Sequence, residues 1–104
     1  MSEQNLRATI VGNRLGDLSW RLQLLRWSTT VVPPEQIRSL PAERLAVYMP
    51  FTWANVVIVE SGLWNDGVRK KIETGAQAKI VVAPKGEETK TLLDRVLQEV
   101  GAKP

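Results

Sequence analysis

The 104-residue sequence predicts one three-layer α/β domain: a short, four-stranded, all-parallel sheet in the order 2-1-3-4 with helices on both faces. Three observations carry this. Four short β-branched segments recur along the chain, at Ala8 to Gly12, Thr29 to Val32, Asn55 to Glu60 and Lys79 to Ala83. Stretches with helical spacing separate them. Two of the segments hold continuous apolar runs, Val56 to Val59 and Ile80 to Val82, without the polar alternation of a half-exposed strand. With right-handed crossovers, strand, helix, strand, short helices, strand, helix, strand, helix gives the stated order. The length suits a single packed core, with Met1 to Asn5 and Ala102 to Pro104 expected as exposed, flexible ends.

The first helix is read from Leu15 to Trp27, beginning near Asp17, with Leu15, Leu18, Leu22 and Leu25 on one face. At about 100° per residue, Trp20, Leu24 and Trp27 fall opposite that stripe, so the helix is apolar on two sides. Such a face fits an interface anchored by tryptophan, or a surface covered by Met49, Phe51 or Trp53 of the same chain. Pro33, Pro34, Pro41 and Pro50 divide the stretch after the second strand. It is read as two short helices, Glu35 to Leu40 and Ala42 to Met49, with Arg44 to Met49 as an alternative irregular strand. The next helix runs from Asn65 or Asp66 to Thr74, capped by one of those side chains and ended by Gly75, with Val68 and Ile72 inward and Trp64 extending the stripe. The last spans Glu87 to Val100, with Leu92, Leu93, Val96, Leu97 and Val100 on the sheet side. Glu87 and Glu88 suit its first turn, and Gly101 its left-handed close.

Composition excludes much chemistry. The chain has no cysteine and no histidine, which removes thiolate nucleophiles, disulfides, imidazole bases and the usual zinc ligands. The acidic residues are dispersed, so no metal and no cofactor are expected. The polar N-terminus lacks the basic and apolar regions of a secretory signal, and no apolar run is long enough to cross a bilayer; a cytoplasmic location without membrane contact is the expectation. A net charge of +3 is compatible with an anionic partner. Arg69, Lys70, Lys71 and Lys79 form a basic neighbourhood, but the tryptophans are not interleaved with it, so nucleic acid is not the expected main partner.

In open parallel sheets, ligands bind beyond the strand C-termini where the strand order reverses, here between the first and third strands. The loops meeting there are Gly12 to Asp17, Glu60 to Asp66 and Pro84 to Gly86. Gly12 to Gly16 lets the backbone approach a ligand, with Asn13 beside it and Arg14 to neutralise a phosphate; an ordinary strand-to-helix turn has the same composition. Neither G-x-G-x-x-G nor G-x-x-x-x-G-K-[ST] is present. Glu60, at the end of a buried strand with Ser61 and Asn65 as neighbours, suits a ribose hydroxyl, or the role of nucleophile or base. It equally suits a backbone cap or a pair with Arg14 or Lys85. Lys85 and Gly86 suit an anion or a solvated turn.

The alternation of elements is that of a Rossmann-like or flavodoxin-like sheet. The stretch from Ala54 to Pro84, opening A-N-V-V-I-V-E-S-G and closing K-I-V-V-A-P, resembles the second half of Toll/interleukin-receptor-like domains and nucleoside deoxyribosyltransferase-like enzymes, over about a third of the chain. Lys71 stands where NAD-cleaving receptor-like domains would carry their catalytic glutamate, with Glu73 two positions away, which argues against NAD cleavage. Thr9-Ile10-Val11-Gly12-Asn13-Arg14 resembles the opening strand of nucleotide-binding SLOG-type domains, without their later glycine-rich motif and glutamate. Size and layout are also similar to CARF-like domains, which bind cyclic oligonucleotides as homodimers. The resulting expectation is a homodimeric domain binding a nucleotide-like anion at Asn13, Arg14, Glu60, Ser61, Asn65, Lys85 and Gly86. The alternatives are an assembly module working through Trp20, Leu24 and Trp27, and a hydrolase or glycosidase using Glu60.

Overall fold

A computed structural model describes residues 6–39, 41, 44, 53–75 and 78–101. Four strands, β1 (Arg7–Val11), β2 (Ser28–Val32), β3 (Val56–Glu60) and β4 (Lys79–Ala83), form one parallel sheet in the order β2-β1-β3-β4. Among the described residues, four helices connect and cover them: α1 (Gly16–Leu24), α2 (Pro34–Ser39), α3 (Asp66–Gly75) and α4 (Thr89–Glu99). The expected sheet and strand order are present, and no expected strand boundary is displaced by more than one residue.

β1 and β3 are the central pair, with Ala8 opposite Val56 and Val11 opposite Val59. Successive side chains of a strand point to opposite faces, so β3 feeds two cores at once. Val56 and Ile58 pack with Ala8, Ile10, Val81, Leu18, Leu22, Leu92, Val96 and Leu97 under α1 and α4. Val57 and Val59 pack with Val11, Val32, Ile37, Val68 and Ile72 under α2 and α3. All four β3 valine and isoleucine side chains are fully buried, each worth roughly 1.5–3 kcal/mol by burial. The apolar run of β3 therefore reports its central place. β4 lies at an edge, and its Ile80 and Val82 are only half-buried.

The first helix departs from the sequence expectation. It ends at Leu24, because Arg26 takes a left-handed conformation with φ 67°. The Arg26 N–H donates to Gln23 O at 2.9 Å and the Trp27 N–H to Leu22 O at 3.1 Å, the paired bonds of a Schellman close. That reversal swings Trp27 off the helix and into the core beside Leu22, where it is 6% exposed. Trp27 is thus a core residue and not part of an exposed stripe. Trp20 and Leu24 do remain outward, at 59% and 63% exposure. Leu25, expected on the inner stripe, is exposed.

Asn65 caps α3, its Oδ1 accepting the Val68 N–H at 2.9 Å. Gly101, with φ 71°, closes α4 as expected, its N–H donating to Gln98 O at 3.1 Å. Glu87 and Glu88 are not in the first turn of α4, which begins at Thr89. Glu87 is instead held by Arg95, whose guanidinium donates to Glu87 Oε1 and to Val82 O, both at 2.8 Å. The helix or strand expected over 42–49 lies outside the described residues apart from Arg44, as do Met49, Phe51 and the two chain ends. Among the described residues no helix is long and apolar enough to cross a membrane.

Candidate functional site

Because all four strands are parallel, the loops leaving their C-terminal ends emerge on one edge of the sheet. β1 hands the chain to β2 on one side while β3 hands it to β4 on the other, which opens a crevice between them. A cavity of about 490 Å³ occupies that crevice. Its walls include Asn13 and Arg14 after β1, Glu60, Ser61 and Gly62 after β3, and Lys85 and Gly86 after β4. Leu15, Leu18 and Leu92 line it with apolar surface.

The centre of the site is a contact between two loops. The Asn13 N–H donates to Glu60 Oε1 at 3.1 Å, so the carboxylate is fixed by backbone rather than by a cation. Gly12, with φ 135°, makes this approach possible. A Cβ at that position would lie 2.6 Å from Glu60 Cγ and would overlap its carboxyl group. Only glycine adopts this backbone without strain and leaves the space that Glu60 occupies. Its N–H continues the sheet by donating to Val32 O at 3.0 Å.

After Glu60 the chain makes a short 3₁₀ turn, Ser61–Leu63, which places Ser61 and Gly62 on the wall. On the opposite side, the Glu87 N–H donates to Pro84 O at 3.3 Å and Gly86 has φ 85°, the signature of a type II turn with Lys85 at its first corner. The Arg95 clamp on Glu87 and Val82 fixes where that turn leaves the sheet.

Six of the seven expected binding residues line this cavity: Asn13, Arg14, Glu60, Ser61, Lys85 and Gly86. Asn65 does not, because its side chain is committed to the α3 cap. Trp20, Leu24 and Trp27 are absent from the walls, the first two facing outward and the third lying in the core. The sequence reading missed Arg38, which reaches the cavity from α2 together with Pro34. A signal was available: the loop after β2 must reach the same edge as the other three, and Pro34 at the first turn with Ile37 buried sets the helix that carries Arg38.

The charges in the cavity are unevenly paired. Glu87 is neutralised by Arg95 at 2.8 Å. Arg14, Arg38 and Lys85 make no ion pair among the described residues, nor does Glu60. Two loops and helix α2 thus bring to one cavity three cations without an ion pair among the described residues, together with one hydrogen-bonded carboxylate. No hydrogen bond joins Glu60 to Ser61, and among the described residues no group of acidic side chains is arranged to hold a metal ion.

No family model, no curated protein and no solved structure matches the chain. Fold and crevice together define a small parallel α/β domain with a cleft of mixed polar and apolar lining at its switch point.

Proposed function

We propose that this domain binds a small, nucleotide-like anion in the crevice beyond β1 and β3. The observation that carries the reading is the convergence of Arg14, Arg38 and Lys85, none of them ion-paired among the described residues, on one cavity of about 490 Å³. That volume falls in the range of about 300–1,000 Å³ typical of small-molecule sites. Guanidinium groups from two elements offer forked donors to phosphate oxygens, and Lys85 supplies a point charge on the same cavity. Leu15, Leu18 and Leu92 give an apolar wall suited to the uncharged part of such a ligand.

Calorimetric titration with nucleotides, dinucleotides and cyclic oligonucleotides tests this. Binding is expected, and Arg14→Ala or Arg38→Ala should each weaken it about tenfold, as loss of a charged hydrogen bond does. Absence of binding by every compound at millimolar concentration would overturn the reading.

A second reading rests on a different observation: Trp20 and Leu24 project from α1 into solvent, and Val31, registered with Ile10 and so on the same sheet face, is also exposed. On this second reading a second copy of the chain covers these exposed side chains, and the protein is a homodimer.

A further inference from the structure

We infer that Glu60 reads a hydroxyl group, and that the ligand is therefore a phosphorylated polyol such as a ribose phosphate rather than a simple anion; this rests on the anion-binding reading above. Glu60 Oε1 is occupied by the Asn13 N–H, and Oε2 makes no hydrogen bond or ion pair among the described residues. An ionised carboxylate only accepts hydrogen bonds, so the oxygen left without a protein partner, half-exposed at the cavity wall, can take a donor from a ligand in place of water. Gly12 holds it in place, because the carboxyl group fills the space a side chain there would take.

What can supply the donor is limited by the surroundings. Inorganic phosphate near neutral pH keeps a P–OH donor, but turning that group to Glu60 brings the ion's own negative charge against the carboxylate while Arg14, Arg38 and Lys85 attract it, and a phosphate monoester, more acidic, largely lacks such a donor. An ammonium group would satisfy Glu60 but would meet three like charges across the same cavity. A divalent cation asks for several oxygen ligands, and Glu60 is the only unpaired carboxylate lining the cavity among the described residues. A neutral hydroxyl donates to the carboxylate and is repelled by neither set. Joined to a phosphate it satisfies both, and ribose carries the two together.

The test uses the unaltered protein and the Glu60→Gln variant, titrated with adenosine monophosphate, its dideoxy counterpart lacking both ring hydroxyls, ribose phosphate and inorganic phosphate. For the unaltered protein the hydroxylated nucleotide should bind about tenfold or more tightly than the dideoxy form, since a site built for a hydroxyl leaves its carboxylate unpaired without one. Glutamine keeps an oxygen for the Asn13 N–H but turns an amide donor to the cavity and removes one negative charge. Glu60→Gln should therefore abolish the preference for hydroxyls while binding inorganic phosphate several-fold more tightly. Equal affinity of the unaltered protein for both nucleotides would overturn this inference and leave anion binding standing. Weakening of inorganic phosphate by Glu60→Gln would also overturn it, because Glu60 would then serve the anion itself, by accepting from a P–OH group or by holding the Asn13 loop. Absence of binding by all four probes would overturn both readings. Should Glu60→Gln fail to fold, as thermal melting would reveal, the comparison of the two nucleotides on the unaltered protein decides alone.

Discussion

At the residue scale, the crevice depends on what Gly12 lacks. Gly12→Ala brings a side chain into a backbone region that non-glycine residues rarely adopt and drives it against Glu60. It is expected to cost about 1–3 kcal/mol in urea denaturation. Combining it with Glu60→Ala should recover part of that loss, the overlap but not the backbone strain, as a double-mutant cycle would show. The placement of Glu60, Arg14 and Lys85 at one sheet edge was legible in the sequence because each lies at or just beyond the end of a recognisable strand. The dependence of Glu60 on Gly12 was not, since the contact joins loops 47 residues apart at Asn13 and Glu60. Arg26 was hidden for another reason. A left-handed residue closing a helix is usually glycine, so arginine there gives no sign that the helix stops.

Elements differ in how plainly they announce themselves. β3 and β4 were legible from β-branched runs alone, and α4 from the spacing of Leu92, Val96 and Leu97. α1 was not, because its apolar pattern continues through Leu25 and Trp27 after the hydrogen-bonded helix has ended; periodicity marks which residues are apolar and not where the backbone turns. Arg38 went unnoticed because the prolines around it broke the pattern into pieces too short to orient. Asn65 illustrates two roles read from one residue, of which the structure brings only the cap. Asn65→Ala should accordingly lower stability by about 1 kcal/mol, measured by denaturation, while leaving nucleotide affinity unchanged. A loss of affinity without loss of stability would place Asn65 in the site after all.

On the scale of the whole molecule, the order β2-β1-β3-β4 leaves β2 and β4 at the margins, with Val31 exposed on β2 and Trp20 and Leu24 exposed on α1, the helix that leads into it. β2 reads Ser-Thr-Thr-Val-Val, with none of the charges or prolines that protect many edge strands. If that side joins two copies, Trp20→Glu with Leu24→Glu should yield a folded monomer by light scattering and circular dichroism, and an unchanged mass would refute association there. Trp27→Glu is no substitute in this experiment, because it would place a charge in the core. The strand order was legible from the alternation of elements and the handedness of crossovers; the surface was only half so, since Trp27 had to be located before the patch could be drawn. The central pair has a further consequence, in kinetic terms. Ala8 meets Val56 and Val11 meets Val59 only after the chain between them has been closed into a loop, and that closure also brings Asn13 to Glu60. No partly folded chain in which β3 is undocked possesses the crevice. A ligand held there would therefore resist the undocking of β3 specifically, and its protective effect on amide exchange would be greatest along the β1–β3 seam.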